Sequence, residues 1–181
     1  MTKKFIILDR DGVINEDSDD YVKSAEEWFP IPGSLEAIAK LKKADYTVVI
    51  ATNQSGIGRG LFGFEEFEEM CEKMDVMLDQ AGGYIDGIFL CPHAPEEGCG
   101  CRKPLPGMFE QIAEEFEIDL NDVPVVGDSL RDLQAGQAVG CAPYLVKTGK
   151  GERTIAKGEG LDGVEIFEDL ACFVDNLLAT E

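Results

Sequence analysis

Residues 5–15 read FIILDRDGVIN, so four apolar residues run directly into two aspartates, Asp9 and Asp11, and then into Gly12. Such a run predicts a strand that is buried on both faces, as in a parallel sheet. The glycine allows a sharp turn at the end of the strand, and ligands of open α/β sheets bind at that end. Two neighbouring carboxylates repel each other unless a cation holds them. Because oxygen ligands suit Mg²⁺, this stretch predicts a magnesium site at the mouth of a cleft.

The rest of the chain alternates between strand patterns and helical patterns. After the strand at 5–8, further strands are predicted at 46–51, 85–91, 123–126 and 142–146, and helices at 34–44, 64–80, 109–116, 130–139 and 170–178. This alternation predicts the α/β class with a Rossmann-like, doubly wound parallel sheet. The length of 181 residues predicts one domain, 1–181, because the spans after the first two strands are too short to fold as a separate cap. The polar residues 16–22 are expected to form a flap above the cleft.

The chain carries a formal charge of −20, from 16 basic and 36 acidic residues. This charge argues against nucleic acid and anionic membrane surfaces as partners. A phosphate site must therefore be a local island of positive charge, built from a metal ion and a few basic side chains. No stretch is long and apolar enough to span a bilayer and none has the form of a signal peptide, so we expect a cytoplasmic protein. Six cysteines in such a chain indicate metal binding or free thiols before disulfides.

Polar residues also follow the second predicted strand. This strand ends at Thr52 and leads into Asn53, Ser55 and a glycine-rich loop that contains Arg59. Backbone N–H groups in a loop of this kind suit an oxyanion. The alternative interpretation is an ordinary turn that is rich in small polar residues.

Two further motifs supply positive charge and another carboxylate. Arginine forks onto phosphate oxygens and lysine acts as a compact point charge, so Arg102 and Lys103 suit a phosphate site. Asp128 ends the fourth predicted strand, where it is expected to meet the aspartates of the first strand on Mg²⁺. A helix N-cap is the alternative role for Asp128. Asp132 follows one helical turn after Asp128 and faces the same way, so it is a candidate to hydrogen-bond a water molecule on the metal.

A compact loop combines three cysteines with the only histidine of the chain: Cys91, His93, Cys99 and Cys101. Three thiolates and one imidazole form a complete tetrahedral ligand set, so a structural Zn²⁺ ion is predicted. Reduced thiols or a disulfide within the loop are the alternatives. Zinc here would order the adjacent pair of basic residues without entering the chemistry. The other cysteines fit core faces and are expected to be small apolar filler: Cys71, Cys141 and Cys172.

The order of these motifs resembles the haloacid dehalogenase (HAD) superfamily of phosphohydrolases. Its four motifs are matched by Asp-x-Asp-Gly after the first strand, Thr52 after the second, Lys103 before a helix, and Asp128 after the fourth strand. The resemblance implies that Asp9 is the nucleophile and Asp11 the general acid and base. It also implies that Asp9, Asp128 and the backbone carbonyl of Asp11 hold Mg²⁺, while Thr52 and Lys103 hold the transferring phosphoryl group.

A narrower resemblance covers residues 4–151. A capless chain with Cys-x-His followed by Cys-x-Cys-Arg-Lys-Pro looks like the histidinol-phosphatase and heptose-bisphosphatase group. Residues 52–60 and 106–108 are similar to the heptose branch, whereas the histidinol branch typically has an aspartate in place of Ser55 and lacks Arg59.

The heptose branch implies a substrate. Its members remove the 7-phosphate of a heptose 1,7-bisphosphate on the route to nucleotide-activated heptose for lipopolysaccharide core or surface layers. Arg59 and Arg102 are expected to contact the other phosphate or ring hydroxyls, beside Asn53 and Ser55. The alternatives are a histidinol-phosphate phosphatase, a non-enzymatic phospho-Asp receiver domain, and a catalytically silent zinc-binding relative. A monomer is expected.

Overall fold

The structure, a computed structural model, describes residues 3–181, and its centre is one sheet in which all strand pairs are parallel. The strands are β1 (Phe5–Leu8), β2 (Thr47–Asn53), β3 (Gly87–Cys91), β4 (Pro124–Gly127), β5 (Ala142–Val146) and β6 (Glu165–Phe167). Their order across the sheet is β3-β2-β1-β4-β5-β6. The chain therefore builds from β1 to one edge and then returns to place β4 on the other side of β1. The end of β1 lies at this switch point, where α/β sheets bind ligands.

Helices cover both faces of the sheet. They are α1 (Ser34–Lys43), α2 (Ser55–Gly58), α3 (Phe64–Ala81), α4 (Gly107–Glu115), α5 (Leu130–Gln137), α6 (Gly151–Lys157) and α7 (Leu170–Ala179). Side chains of α1, α3 and α7 form the core on one face, and those of α4 and α5 form it on the other. The predicted doubly wound α/β architecture is thus confirmed. Within residues 3–181, no helix is long and apolar enough to cross a membrane.

The central strand is buried along its whole length. Each of its four apolar side chains is less than 5% exposed. Ile6 and Leu8 belong to one core cluster, and Phe5 and Ile7 belong to the other. Fully burying a side chain of this size contributes about 1.5–3 kcal/mol. This packing fixes the strand end from which Asp9 extends.

Three short elements, α2, α6 and β6, are absent from the predicted set. β6 has only three residues and two of them are exposed, so it lacks the apolar pattern of a buried strand. α2 is a four-residue turn of helix inside the predicted glycine-rich loop. The expectation for Cys172 is wrong: this cysteine is exposed on α7, whereas Cys141 is buried.

Candidate active site

The loops that follow β1, β2, β3 and β4 line one cleft of about 250 Å³. Most of the predicted site residues line it: Asp9, Asp11, Asn53, Ser55, Arg59, Arg102, Lys103 and Asp128. Among the predicted catalytic and substrate-binding residues, Thr52 is the exception, because it is buried at the end of β2 and does not line the cleft. The predicted flap supplies a further part of the wall through residues between Asp17 and Val22.

Asp9 directly follows β1, and two donors fix its carboxylate. Its Oδ1 atom accepts hydrogen bonds from the backbone N–H of Arg10 at 2.8 Å and from Nζ of Lys103 at 3.1 Å. Burial raises the pKa of Asp9 to about 7, aided by the negative charges of Asp132 and Asp11 and opposed by Lys103. A carboxylate that is anchored through one oxygen, and lines the cleft, is well placed to act as a nucleophile.

Asp128 directly follows β4 and meets the end of β1 at close range. Asp9, Asp128 and Asp132 each offer one oxygen, and these oxygens lie within 4.8 Å of one another. The Oδ2 atom of Asp128 accepts a hydrogen bond from the backbone N–H of Lys150 at 2.9 Å. A Cβ atom on Gly12 would lie only 2.0 Å from this oxygen, and Gly12 has a φ of +89°. The glycine of the Asp-x-Asp-Gly motif is therefore required for both its backbone conformation and this close approach.

A buried ion pair joins Lys103 to Asp132. The Nζ atom of Lys103 lies 2.5 Å from Oδ1 of Asp132 and 3.1 Å from Oδ1 of Asp9. It also donates to the carbonyl of Ala51 at 2.8 Å. Burial alone would lower the pKa of Lys103, but the charges of Asp132 and Asp9 raise it. Burial opposes ionisation of Asp132, yet Lys103 outweighs it and lowers the pKa of that carboxyl. Asp132 thus holds the ammonium group of Lys103 next to the carboxylate of Asp9.

The charges at the bottom of the cleft do not balance. Three buried carboxylates, those of Asp9, Asp128 and Asp132, face the single ammonium of Lys103, which leaves an excess of two negative charges. Burial, followed by repulsion from Asp9 and Asp132, raises the pKa of Asp128 well above its usual range. A divalent cation with oxygen ligands matches both the donor set and the excess charge. The residues therefore fit the predicted Mg²⁺ ion.

The carboxylate of Asp11 is held on both oxygens. Oδ1 accepts from Nε and Nη2 of Arg10 at 3.0 and 2.8 Å and from Nδ2 of Asn15 at 2.9 Å. Oδ2 accepts from Nε2 of Gln54 at 3.1 Å, and the same amide donates to Oγ1 of Thr52 at 2.9 Å. These contacts fix the side chain of the predicted general acid at the cleft wall.

Arg10, Asn15 and Gln54 are functional neighbours that the sequence motifs did not identify. Arg10 is only 1% exposed and its guanidinium lies 5.2 Å from the ring centroid of Phe67. The sequence did contain a signal for Arg10, because it lies between two aspartates at the end of a buried strand. A buried arginine requires a charged partner, so a pair with one of these aspartates could have been predicted. No comparable local signal marked Asn15 or Gln54.

The side chain of Asn53 holds the lysine loop. Its Nδ2 atom donates to the carbonyl of Lys103 at 3.1 Å, and its Oδ1 atom accepts from the backbone N–H of Lys103 at 3.0 Å. This reciprocal pair joins the end of β2 to a loop that lies 50 residues away in the sequence. Asn53 thereby positions Lys103 through its backbone.

The predicted zinc ligands converge beside this loop. Cys91 Sγ lies 2.9 Å from Cys101 Sγ and 3.5 Å from Cys99 Sγ, and His93 Nδ1 lies 3.3 Å from Cys101 Sγ. One ligand atom from each of the four residues falls within 4.8 Å of the others. Three thiols and an imidazole in such a cluster fit the tetrahedral set of a structural Zn²⁺ ion. Its last ligand, Cys101, directly precedes Arg102 and Lys103.

The rim of the cleft carries the predicted substrate contacts. Nε of Arg59 donates to Oγ of Ser55 at 3.4 Å, and its guanidinium lies 5.9 Å from the ring centroid of Tyr21 in the flap. Arg102 has a buried Nη1 atom without a hydrogen-bond partner among residues 3–181. The part of the rim formed by Arg59 and Arg102 is thus cationic, whereas the flap contributes Asp17 and Asp19 and the bottom of the cleft is anionic.

Comparison with known proteins places the chain in a family. Residues 100–172 match the HAD-hydrolase-like family model. The chain is 57% identical to the D-glycero-beta-D-manno-heptose-1,7-bisphosphate 7-phosphatase of Bordetella bronchiseptica over 175 residues, which is 97% of this chain and 98% of the relative. This chain belongs to the heptose-bisphosphate phosphatase family of HAD-like hydrolases. The family member of the same name in Pseudomonas aeruginosa is 51% identical over 178 residues, covering 98% of this chain and 99% of the relative.

Solved structures of heptose-bisphosphate phosphatases share the fold. The crystal structure of D,D-heptose 1,7-bisphosphate phosphatase from B. bronchiseptica, complexed with magnesium and phosphate, has a TM-score of 0.96, 56% identity, and coverage of 98% of this chain and 99% of that chain. The corresponding enzyme from Burkholderia thailandensis has a TM-score of 0.78 and 48% identity, with coverage of 98% and 99%. The resemblance to the HAD superfamily and to its heptose branch is therefore confirmed.

Proposed function

We propose that this heptose-bisphosphate phosphatase family member removes the 7-phosphate of D-glycero-β-D-manno-heptose 1,7-bisphosphate. The main support is 57% identity to a 7-phosphatase of that name over 97% of the chain. A second support is the geometry of the cleft, in which Asp9, Lys103 and Asp128 lie together at the strand ends. The relatives are named for the β anomer, so we assign that anomer to this chain.

Mg²⁺ would be held by Asp9, Asp128 and the backbone carbonyl of Asp11. When bound, it supplies positive charge for the reacting phosphoryl group and for the crowded carboxylates. Lys103, whose Nζ atom lies 3.1 Å from Oδ1 of Asp9, adds a second positive charge that neutralises oxygens of the phosphoryl group. The buried hydroxyl of Thr52 accepts a hydrogen bond from Gln54 and so supports a residue that holds Asp11.

Asp9 and Asp11 divide the chemistry. A carboxylate oxygen of Asp9 attacks phosphorus in line, the bond from phosphorus to O7 of the sugar breaks, and an aspartyl-phosphate forms. Asp11 acts as the general acid and gives a proton to the departing O7. The Asp11 carboxylate then takes a proton from water, whose oxygen attacks phosphorus. The bond between phosphorus and the Asp9 oxygen breaks, which releases inorganic phosphate and restores the Asp9 carboxylate. Arg10, Asn15 and Gln54 keep the Asp11 side chain within reach of both steps.

The rest of the substrate lies toward the rim in this proposal. Ser55, Arg59 and Arg102 contact the sugar hydroxyls and the second phosphate, and Asn53 supports them through the lysine loop. A Zn²⁺ ion on the cysteine cluster would hold the loop that carries Arg102 and Lys103.

The cellular setting is also a proposal. Free cysteines throughout residues 3–181 fit a reducing compartment such as the cytoplasm. A net charge of −20 disfavours nucleic acid and anionic membranes as partners. We propose that the protein acts as a monomer on a small phosphorylated sugar.

A substrate panel tests the function. Phosphate release is measured with the α and β anomers of heptose 1,7-bisphosphate and with histidinol phosphate, in the presence of Mg²⁺. The expected result is the largest kcat/KM for the β anomer, with phosphate lost from position 7. Faster turnover of histidinol phosphate would assign the chain to the histidinol branch. Accumulation of a stable phospho-Asp without turnover would indicate a receiver-like function.

A further inference from the structure

Three arginines at the cleft form no ion pair with an acidic side chain among residues 3–181. The chain contains five arginines among 36 acidic residues. Two of them, Arg10 and Arg153, form ion pairs with aspartates at 2.8 and 2.7 Å. The others line the cleft and have no carboxylate within 4.0 Å in the described part of the chain: Arg59, Arg102 and Arg131. The unpaired arginines are thus concentrated at one place on a strongly acidic protein.

These guanidinium groups are close enough to repel one another. All three line the same cleft of about 250 Å³, so their positive charges act on one another. The buried Nη1 atom of Arg102 also lacks a hydrogen-bond acceptor among residues 3–181. Mutual repulsion and an unsatisfied buried donor both cost free energy. An anion bound between the three side chains would remove both costs.

Arg131 lies at a position that is unfavourable for a cation in the dipole of the helix that carries it. It lies in the first turn of α5, which begins at Leu130. Cations are unfavourable near a helix N-terminus, because the helix dipole is positive there. Its neighbour Asp132 pairs with Lys103, so Arg131 lies one residue from the ion pair at the reacting phosphate. The position of Arg131 is therefore explained better by a ligand than by the stability of α5.

We propose that Arg131 joins Arg59 and Arg102 in a subsite for the second phosphate of the bisphosphorylated sugar, the one that is not hydrolysed. This inference rests on the proposed function and adds to it a residue that no motif identified. Lys103 and the Mg²⁺ ion that the carboxylate cluster would bind hold the reacting phosphate at the bottom of the cleft, while the arginines hold the other phosphate at the rim. Guanidinium groups suit this task because they donate two parallel hydrogen bonds to phosphate oxygens. Arg131 thereby sets the preference for a bisphosphate over a monophosphate.

The test compares two substrates and four proteins. The kcat and KM are measured for heptose 1,7-bisphosphate and for heptose 7-phosphate with wild type, Arg131→Gln, Arg131→Lys and the control Lys157→Gln. Lys157 is exposed at the end of α6 and does not line the cleft, so its variant matches the charge change alone. Thermal unfolding of each variant checks that the fold is retained.

The expected effect is confined to the bisphosphate. Loss of one charged hydrogen-bond donor should raise KM for the bisphosphate about tenfold in Arg131→Gln, with a much smaller effect on KM for the monophosphate. Arg131→Lys should recover part of the loss, and Lys157→Gln should equal wild type. If wild type prefers the bisphosphate and Arg131→Gln keeps that full preference, or loses activity equally on both substrates, this inference is overturned and the proposed function stands. If wild type prefers the monophosphate, the proposed function and this inference both fall.

Discussion

Lys103 and Asp132 form an ion pair of 2.5 Å that is buried from solvent, with side chains only 2% and 4% exposed. The pair joins the loop after the cysteine cluster to the first turn of α5. Oδ2 of Asp132 also accepts hydrogen bonds from the backbone N–H groups of Asp128 and Ser129 at 3.2 and 3.1 Å. Asp132 thus fixes the metal-binding loop and the lysine loop relative to each other. Such a residue positions the catalytic groups and need not touch the substrate.

Asp132→Asn should reduce both activity and stability. Removing one partner of a buried pair costs about 3 kcal/mol, and misplacing the Lys103 ammonium should lower kcat/KM about 100-fold. Phosphate release and urea unfolding measure the two effects. The control is Glu168→Gln, which breaks the exposed Lys147–Glu168 pair of 2.7 Å and should change stability by less than about 1 kcal/mol. Wild-type turnover in Asp132→Asn would contradict the positioning role.

Asp9→Asn should abolish turnover while the metal-free fold becomes more stable at pH 8. The amide is a poor nucleophile, and it removes a negative charge that Asp132 and Asp11 repel. Phosphate release and thermal unfolding without metal are the measurements. Asp175→Asn is the matched control, because Asp175 is exposed and pairs only with Lys40 on the surface. Phosphate release near the wild-type rate by Asp9→Asn would exclude Asp9 as the nucleophile.

The metal-free protein should lose stability as the pH rises. Asp9 has a pKa of about 7, and the pKa of Asp128 is also raised. Between about pH 4 and pH 7 the folded state therefore binds more protons than the unfolded state, whose aspartates are already ionised, and stability falls with increasing pH. Mg²⁺ offsets this repulsion. Saturating Mg²⁺ should therefore raise Tm more at pH 8 than at pH 5, as measured by calorimetry.

Asp128→Asn is the control for that experiment, because it removes one proposed metal ligand and should lose most of the Mg²⁺-dependent rise in Tm. Equal rises at both pH values in the wild type would contradict the assignment. Asp132 affects stability in a different pH range. Because its pKa is lowered in the folded state, its contribution to stability is lost only when the pH falls below about 4.

Cys99→Ser should release zinc and weaken substrate binding. We expect about one zinc per chain in the wild type, as for a four-ligand structural site, and far less in the variant. The loop that carries Arg102 and Lys103 would then lose its anchor, so KM for the bisphosphate should rise. Cys172→Ser is the control, because Cys172 is exposed and lies outside the cluster. Metal analysis and kinetics on the same samples decide the question: full zinc content in Cys99→Ser would refute the four-ligand site.

Much of the fold was predictable because its signals are local. The apolar run at β1 and the helical spacing of α3 and α7 each lie within a few consecutive residues, and the structure places all three in the core. β6 escaped prediction because an edge strand of three residues, two of them exposed, carries no burial pattern. The short helices α2 and α6 escaped because their buried residues are glycine, serine or threonine, which give no apolar helical pattern.

The sequence by itself determined the α/β class, the carboxylates at the strand ends and the four candidate zinc ligands, since each is written in residues close together in the chain. Only the tertiary structure decided which distant groups meet. Placing β4 beside β1 brings Asp128 against Gly12, and the same packing sets Lys103 between Asp9 and Asp132. Arg131 reaches the cleft for the same reason. These contacts arise from the strand order of the sheet, which is fixed by burial of the whole core and not by any local motif.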